Sequence, residues 1–246
     1  ETTGLDSKTD RIIELGVVKA RYSPSARCIT EVIDAHSCYE DPGKPISAEI
    51  TELTGITDAD VAGKRIDDAW VASLLADDPV VLAHNAKFDA GFTHRRFPVF
   101  RDKRWGCTAS EIAWKALGYE GRKLEYLLMK RGWFYEGHRA SIDALATLWL
   151  LHDIPEAFKD LLDSIDRRSV VVRAFGSPFG VKEQLKSRGY RWHPGDEGCN
   201  KCWWIEVDAE HLNAEKAFLE EAYLNGSALA DYRWRDARSR FVDPVA

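Results

Sequence analysis

The sequence has few cysteines, no long hydrophobic run and no excess of positive charge, and each absence excludes a class of protein. Its five cysteines are an odd number at scattered spacings, which disfavours a secreted disulfide framework and favours a reducing compartment. The apolar runs are far shorter than a membrane span, and no signal peptide is recognisable. We therefore expect a cytoplasmic protein without membrane contact. A leader stays compatible with the sequence if further residues precede Glu1.

The net charge of −6 over 246 residues argues against broad, non-specific nucleic-acid binding, which usually shows as a basic domain. It does not argue against an enzyme that holds only a few nucleotides. Two local basic clusters, within residues 94–104 and 122–131, are either solvated faces or phosphate contacts. With 45% hydrophobic and 30% charged residues, the composition is that of a soluble globular protein with one large or two unequal domains.

His138 precedes Asp143 at the point where an apolar segment with helical periodicity begins. The positive end of that helix would offset the charge of Asp143, and His138 would lie on the loop before it. A loop histidine beside a fixed carboxylate can accept a proton near neutral pH. An ordinary capping aspartate with a surface histidine is the alternative, and this stretch alone does not distinguish the two.

A second polar cluster follows the apolar residues Val80–Ala83, which suit a short strand buried on both faces. His84, Asn85, Phe88 and Asp89 come where that strand would end, and a helix would follow at once. The carboxyl ends of strands carry the sites of open α/β sheets. A plain strand-to-helix turn rich in capping residues is the alternative.

The chain begins with an acid, two hydroxyl residues and a glycine, followed by an apolar run, which predicts a strand end, a turn and a second strand. Glu1, Asp89 and Asp143 would then each lie at the end of an element. Clustered carboxylates are costly unless cations neutralise them, and such oxygen ligands suit Mg²⁺ or Mn²⁺. Two ions about 3.5–4 Å apart would suit displacement at phosphorus. His138 would deprotonate the attacking water.

These stretches resemble the motifs of the DEDD superfamily of 3′-to-5′ exonucleases. The likeness is to the histidine-containing (DEDDh, DnaQ-like) branch, typified by the proofreading epsilon subunits of bacterial DNA polymerase III. Five segments match in the order of the family: residues 1–5, 53–57, 84–89, 107–108 and 138–147. Each segment alone is weakly specific, whereas all five in order are strong. The resemblance implies an α/β, ribonuclease H-like fold, with a mixed central sheet flanked by helices.

The resemblance also implies roles for single residues. Glu1, Asp89 and Asp143 would hold two divalent ions, Mg²⁺ or Mn²⁺, and His138 would be the general base. Contacts to the terminal nucleotide would come from Thr2, Thr3, Leu5, His84, Asn85 and Phe88. An apolar and aromatic pocket accepts any base by stacking, so little sequence preference is expected. For Phe88, a place in the ordinary core is the alternative.

One departure from the family concerns its first motif, which is Asp-x-Glu, whereas this sequence begins at the Glu. The aspartate that bridges both metals would lie two residues upstream of Glu1. We therefore expect a short N-terminal piece to precede this sequence, which would truncate the first strand. If the chain truly starts at Glu1, we expect very weak activity.

A change of composition after residue 151 predicts a boundary near residue 168, with an exonuclease domain at 1–168 and a small α+β domain at 169–246. The second domain reads as β-α-β-β-α. It resembles, with low specificity, accessory modules of nucleases and helicases, and nucleic-acid binding is one role for it. Between the motifs of the first domain, helices are predicted at 90–96, 108–117 and 124–131.

The second domain contains a Cys199-x-x-Cys202 pair with His193 and His211 nearby. A zinc site is conceivable, but the histidine spacing is irregular and a plain hairpin loop is favoured. The aromatic residues are Tyr190, Trp192, Trp203 and Trp204. They would stack bases if exposed, or fill the core of a small domain, which we favour.

The sequence thus predicts a two-metal exonuclease that removes nucleoside monophosphates from the 3′ end of single-stranded DNA or RNA, with DNA favoured. The alternative is a catalytically impaired nucleic-acid-binding protein on the same fold. Retention of His138 argues against this alternative, because a pure binder needs no base there. A homodimer, or association with other DNA-processing proteins, is compatible with both.

Overall fold

The computed structural model describes residues 1–135, 137–196 and 198–241. The chain forms two compact units, Glu1–Ile165 and Asp166–Ala246. The predicted boundary near residue 168 lies close to this division, and the independence of the two units as domains stays a prediction. Within the described ranges, no helix combines the length and the apolar content needed to cross a bilayer.

The first unit contains an antiparallel hairpin and a parallel strand pair. Strand β1 (Glu14–Ser23) pairs with β2 (Cys28–Tyr39) in antiparallel register. Strand β3 (Val80–Ala83) pairs in parallel with β4 (Arg104–Cys107). A bridge between Thr2 and Ile12 joins the first residues to the segment just before β1. The chain therefore turns back on itself between its first residues and β1, as the sequence predicts.

The helices of the first unit follow the strands closely. They are α1 (Ala48–Thr54), α2 (Asp58–Val61), α3 (Asp68–Leu74), α4 (Ala86–Arg96), α5 (Leu124–Lys130), α6 (Ala140–Asp153) and α7 (Pro155–Asp166), the last ending at the unit boundary. Helix α4 begins three residues after β3 ends, and α6 begins two residues after His138. Helix α6 packs against β1 and β2. Two of the predicted polar clusters therefore lie at the starts of helices.

The prediction of a helix at 108–117 is wrong, because this segment forms successive turns. Side chains here form hydrogen bonds with backbone amide and carbonyl groups at the start of the segment. The carboxylate of Glu111 accepts from the Cys107 amide at 2.7 Å, and the indole of Trp114 donates to the Thr108 carbonyl at 2.7 Å. Local hydrogen bonds of this kind compete with a helical ladder.

The second unit is a four-stranded antiparallel sheet with helices. Its elements are β5 (Ser169–Ala174), α8 (Lys182–Arg188), β6 (Arg191–His193), β7 (Cys202–Asp208), α9 (Leu212–Ala222), α10 (Gly226–Leu229) and β8 (Asp231–Arg235). The strand order is β6-β7-β5-β8. The predicted β-α-β-β-α pattern is present, and the tail 231–235 adds an edge strand.

The aromatic residues of the second unit divide between core and surface. Tyr190 and Trp203 lie in the apolar core with Val170, Val172 and Leu185. Trp192 packs on Trp203 with ring centroids 5.4 Å apart, yet half of its side chain is exposed. The expectation that these aromatic residues fill the core therefore fits Tyr190 and Trp203, whereas Trp192 presents one face to solvent.

The Cys199-x-x-Cys202 segment is a hairpin loop. Both thiols are buried, and the Arg173 guanidinium donates to the Cys199 sulfur at 3.3 Å. Within the described residues, the histidines do not join these thiols in a close set of metal-ligating atoms. The favoured interpretation of this motif, a hairpin loop, agrees with the structure.

Candidate active site

Asp89 lies on the first turn of α4, directly after the end of β3. The chain enters the helix through Asn85, whose left-handed backbone (φ 96°) directs the carbonyl of Asn85 to the Phe88 amide at 2.8 Å. This sharp turn carries Asp89 into the interior. Burial raises the pKa of Asp89 to about 6, and the charges of Glu1 and Asp143 add to the increase.

Asp143 lies on the first turn of α6. Its carboxylate lies near Tyr135 and beside Gly137, where a Cβ would stand 3.6 Å from Asp143 Oδ1. Burial raises the pKa of Asp143 and the charge of Glu1 raises it further, although the neighbouring Tyr135 and His138 oppose the increase. Asp143 therefore lies against the loop that precedes the helix.

Glu1 is held beside the start of β1. Its carbonyl accepts from the Ile13 amide at 2.9 Å and from the Glu14 amide at 3.2 Å. Its charge raises the pKa of both Asp89 and Asp143. Three acids from three separate segments are thus brought within electrostatic reach of one another.

The chemistry of these donors fits divalent cations. Among the described residues, no arginine or lysine forms an ion pair with Glu1, Asp89 or Asp143. The positive charge of the Glu1 amino group opposes the rise in the pKa of Asp89, and that of His138 opposes the rise in the pKa of Asp143. The three carboxylates do not all lie within 4.8 Å of one another, whereas two ligands of one Mg²⁺ lie at most about 4.2 Å apart. All three acids would therefore have to move closer together to bind a single ion.

His138 lies beside these acids on the loop before α6. Its backbone is left-handed (φ 64°), a conformation that costs a non-glycine residue about 1 kcal/mol or more and persists only where the surroundings impose it. Here the preceding residue, Gly137, lies against the Asp143 carboxylate. The side chain is exposed, as a base that takes a proton from water requires.

A buried ion pair supports this loop from the side of the hairpin. The Glu14 side chain is fully buried and pairs with Arg139, Oε1 to Nη2, at 3.1 Å. Burial alone would raise the pKa of Glu14, but hydrogen bonds from Arg139, Ser37 and the Ala140 amide hold it below its usual value. Sequence reasoning missed Glu14, although a lone acid inside an apolar strand is a usable signal.

Tyr135 and Arg139 are also functional candidates, and the interpretation of the sequence assigns no role to either. Tyr135 lies near the Asp143 carboxylate, and Arg139, which directly follows His138, pairs with Glu14. Their only signal in the sequence is their closeness to His138. The contact between Arg139 and Glu14 joins residues that the sequence alone does not bring together.

The predicted nucleotide contacts differ in their surroundings. Leu5 is 87% exposed, as a residue placed beside a substrate base would be. Phe88 packs on Phe92 with centroids 4.9 Å apart, so at least one of its contacts belongs to the core. The Thr2 and Thr3 hydroxyls bond within the turn, to the Gly4 carbonyl and to Asp10.

His84 and Asn85, the pair that follows the end of β3, also differ from each other in their exposure and contacts. Asn85 is exposed, whereas His84 uses both ring nitrogens inside the protein. Its Nδ1 lies 2.8 Å from the Thr108 hydroxyl, and its Nε2 lies 2.9 Å from the Arg122 carbonyl. Since a carbonyl can only accept, Nε2 carries the proton and Nδ1 accepts. Burial keeps the pKa of His84 low, in agreement with this neutral form.

Comparison with known proteins places this site in a family. A family model described as "Exonuclease" (RNase T) matches residues 1–151. The DNA polymerase III PolC-type of Listeria innocua is 33% identical over 170 residues, which is 66% of this chain and 11% of that protein. The corresponding protein of Bacillus subtilis is 41% identical over 99 residues, 37% of this chain and 6% of that protein. The matched part of the chain therefore spans about a tenth or less of the length of these relatives.

Solved structures share the fold. Escherichia coli exonuclease I in complex with a dA16 oligonucleotide has a TM-score of 0.53 and 17% identity, covering 97% of this chain and 62% of that chain. A zinc-bound complex of E. coli ExoI with ssDNA also has a TM-score of 0.53 and 17% identity, covering 99% of this chain and 64% of that chain. These likenesses confirm the predicted ribonuclease H-like α/β fold.

Proposed function

Because the chain belongs to the exonuclease (RNase T) family, we propose that it is a metal-dependent 3′-to-5′ exonuclease. Its substrate is the 3′ end of single-stranded nucleic acid, with DNA favoured, and its products are nucleoside monophosphates. The observation that carries the proposal is the grouping of Glu1, Asp89 and Asp143, which form no ion pair with arginine or lysine among the described residues, beside a histidine that is exposed to water.

Each residue has a distinct role in the reaction. Glu1, Asp89 and Asp143 would hold two divalent ions, which would supply a more acidic attacking water and stabilise charge on the leaving 3′ oxygen. His138 takes a proton from the water as its oxygen attacks phosphorus in line with the leaving group. The bond from phosphorus to the 3′ oxygen of the preceding nucleotide breaks, and the terminal monophosphate leaves. Asp143 also orients the backbone that carries His138.

Mg²⁺ or Mn²⁺ is the proposed metal, because both prefer the carboxylate oxygens that this site offers. The zinc in the ExoI–ssDNA complex belongs to that protein.

DNA is favoured as the substrate over RNA for two reasons. The relatives are DNA polymerases by name, and structures that share the fold were solved with dA16 and with ssDNA. The proposed pocket of Leu5 and Phe88 accepts any base by stacking, so discrimination must depend on the sugar. Association with other DNA-processing proteins, dimerisation and a cytoplasmic location stay predictions.

The second unit is proposed to be a separate accessory domain that binds nucleic acid. Trp192 and Trp234 each expose half of their side chain, and they lie on the two edge strands of the sheet. The Arg168 guanidinium stands 4.7 Å from the centroid of the Trp234 ring. An exposed aromatic ring next to a cation suits stacking on a base beside its phosphate.

The test is degradation of 5′-labelled single-stranded DNA and its RNA counterpart by the full-length product of the gene, with Mg²⁺, with Mn²⁺ and with chelator. A ladder that shortens from the 3′ end, requires metal and is lost in His138→Ala supports the proposal and selects the substrate. Retained binding without cleavage of either strand would contradict it. That result would favour the catalytically impaired binding protein instead.

A further inference from the structure

We propose that Glu14 and Arg139 form a positioning clamp that sets the location of the His138 side chain. The clamp joins β1, inside the hairpin, to the first residues of α6. This inference rests on the proposed role of His138 as the general base. Glu14 makes no contact with substrate in the proposed reaction. It would affect the rate of cleavage only through the position of His138.

Both carboxylate oxygens of Glu14 accept hydrogen bonds from neighbouring residues. Its Oε1 accepts from the Ser37 hydroxyl at 2.6 Å and from Arg139 Nη2 at 3.1 Å. Its Oε2 accepts from the Ala140 amide at 3.0 Å and from Arg139 Nε at 3.3 Å. A fully buried carboxylate persists in this way only when its partners satisfy it. The geometry around it is therefore strongly defined.

Glu14, on strand β1, caps the start of helix α6. Arg139 precedes the helix and offers no capping side-chain hydrogen bond of its own. Glu14 supplies one by accepting from the amide of Ala140, the first residue of the helix. A carboxylate at this end is favoured by the unsatisfied amides and by the helix dipole. The strand therefore determines where α6 begins.

The clamp includes Arg139, the residue next to His138. Arg139 Nη2 also donates to the Tyr39 hydroxyl at 2.7 Å, so the guanidinium bridges the two strands of the hairpin to the loop. His138 is then restrained on both sides: Arg139 is fixed by the clamp on one side, and Gly137 lies against the Asp143 carboxylate on the other, where a Cβ would stand 3.6 Å from Oδ1. These restraints hold its left-handed backbone, which directs the imidazole.

The experiment compares Glu14→Gln with Glu31→Gln in the full-length protein. Glu31 lies on the same hairpin and pairs with Arg21, but both side chains are largely exposed, which makes it a matched control. Single-turnover degradation of 5′-labelled single-stranded DNA gives the rate of cleavage and the affinity separately. Each substitution is measured alone and combined with His138→Ala.

We expect Glu14→Gln to lower the cleavage rate by about 100-fold, the scale of a misplacement of about 1 Å, with KM changed little. Glu31→Gln should leave the rate unchanged. In the His138→Ala background, Glu14→Gln should change the remaining rate by no more than about twofold, the usual additivity error. A merely structural role would lower the rate equally in both backgrounds, and that result would overturn the proposal.

A second readout does not depend on activity. In metal-free protein, hydrogen exchange of the Ala140 amide, which donates to Glu14 Oε2 at 3.0 Å, should accelerate at least tenfold in Glu14→Gln and stay unchanged in Glu31→Gln. If Glu14→Gln does not fold, Arg139→Lys takes its place, because it keeps the charge but loses the two-pronged contact. An exchange rate that is unchanged in the folded variant would refute the clamp.

The outcomes also separate the clamp from the proposed function. If the wild type degrades DNA and His138→Ala is equally active, the assignment of His138 as the base fails and the clamp has no catalytic consequence. If His138→Ala is inactive while Glu14→Gln cleaves at the wild-type rate, the base assignment stands and only the clamp fails.

Discussion

The carboxylate of Asp143 lies against Gly137, the residue before His138: a Cβ added to Gly137 would stand 3.6 Å from Asp143 Oδ1. A proposed metal ligand thus lies beside the loop that carries the proposed general base. Movement of the loop before α6 would disturb both groups at once.

Tyr135→Phe should lower the cleavage rate without preventing folding. Its hydroxyl lies close enough to the Asp143 carboxylate to oppose the rise in the pKa of that group, and a hydrogen bond to a charged group contributes about 1.5–3 kcal/mol. We therefore expect a rate loss of about tenfold or more when Asp143 loses this neighbour. The measurement is single-turnover cleavage at saturating Mg²⁺. Tyr126→Phe is the control, since the Tyr126 hydroxyl accepts a hydrogen bond from the exposed Glu120 amide at 3.2 Å; equal rates for both variants would contradict the assignment.

Asp89→Asn should make the metal-free protein more stable at neutral pH while abolishing cleavage. Burial raises the pKa of Asp89 from 3.8 to about 6, so the folded state binds its proton more tightly than the unfolded state does. The cost of the ionised form is therefore absent below pH 3.8, grows as the pH rises to 6 and is fully present above it. It amounts to about 3 kcal/mol at pH 7.5.

The measurement for this prediction is urea unfolding in chelator at acidic and neutral pH. The gain in unfolding free energy from Asp89→Asn should appear at pH 7.5 and shrink toward pH 4. Asp60→Asn should instead lower the unfolding free energy at neutral pH, because hydrogen bonds from Thr57 lower the pKa of Asp60. A destabilised Asp89→Asn protein at neutral pH would show that the acids are compensated in some other way.

Mg²⁺ or Mn²⁺ should raise the melting temperature of the wild type, and Asp89→Asn should abolish this shift. A ligand at 100 times its Kd stabilises the folded state by about 2.7 kcal/mol. The control is Asp208→Asn, because Asp208, Glu210 and His211 form an exposed cluster in which one atom of each lies within 4.8 Å of the others. Loss of the shift in Asp208→Asn, with the shift retained in Asp89→Asn, would move the metal away from the proposed site.

The sequence predicts the acids and the base because these residues carry their own local signals. Asp89 follows a short apolar strand and Asp143 opens an apolar helix, and both elements are present. Glu14 also lies in an apolar strand, but its role depends on its contact with Arg139, which is remote in sequence. The helix predicted at 108–117 was wrong for a related reason. Its helical pattern is overridden by side-chain hydrogen bonds, such as that of Glu111, whose partners periodicity does not reveal.

Gly16→Ala should destabilise the first unit and weaken cleavage together. A Cβ atom at Gly16 would lie 2.1 Å from the backbone carbonyl carbon of Ala140, so β1 and the start of α6 would have to separate. Overpacking of this kind costs about 1–3 kcal/mol, and backbone atoms give way less readily than side chains.

Separation at this point would also lengthen the bond from Glu14 to the Ala140 amide, which is 3.0 Å in the native protein. We therefore expect the cleavage rate of the folded Gly16→Ala protein to fall as it does for Glu14→Gln. Gly180→Ala is the control, because a Cβ there meets open space. Urea unfolding and single-turnover cleavage test both effects. A Gly16→Ala protein with wild-type stability and rate would mean that the contact between β1 and α6 is looser than the structure has it.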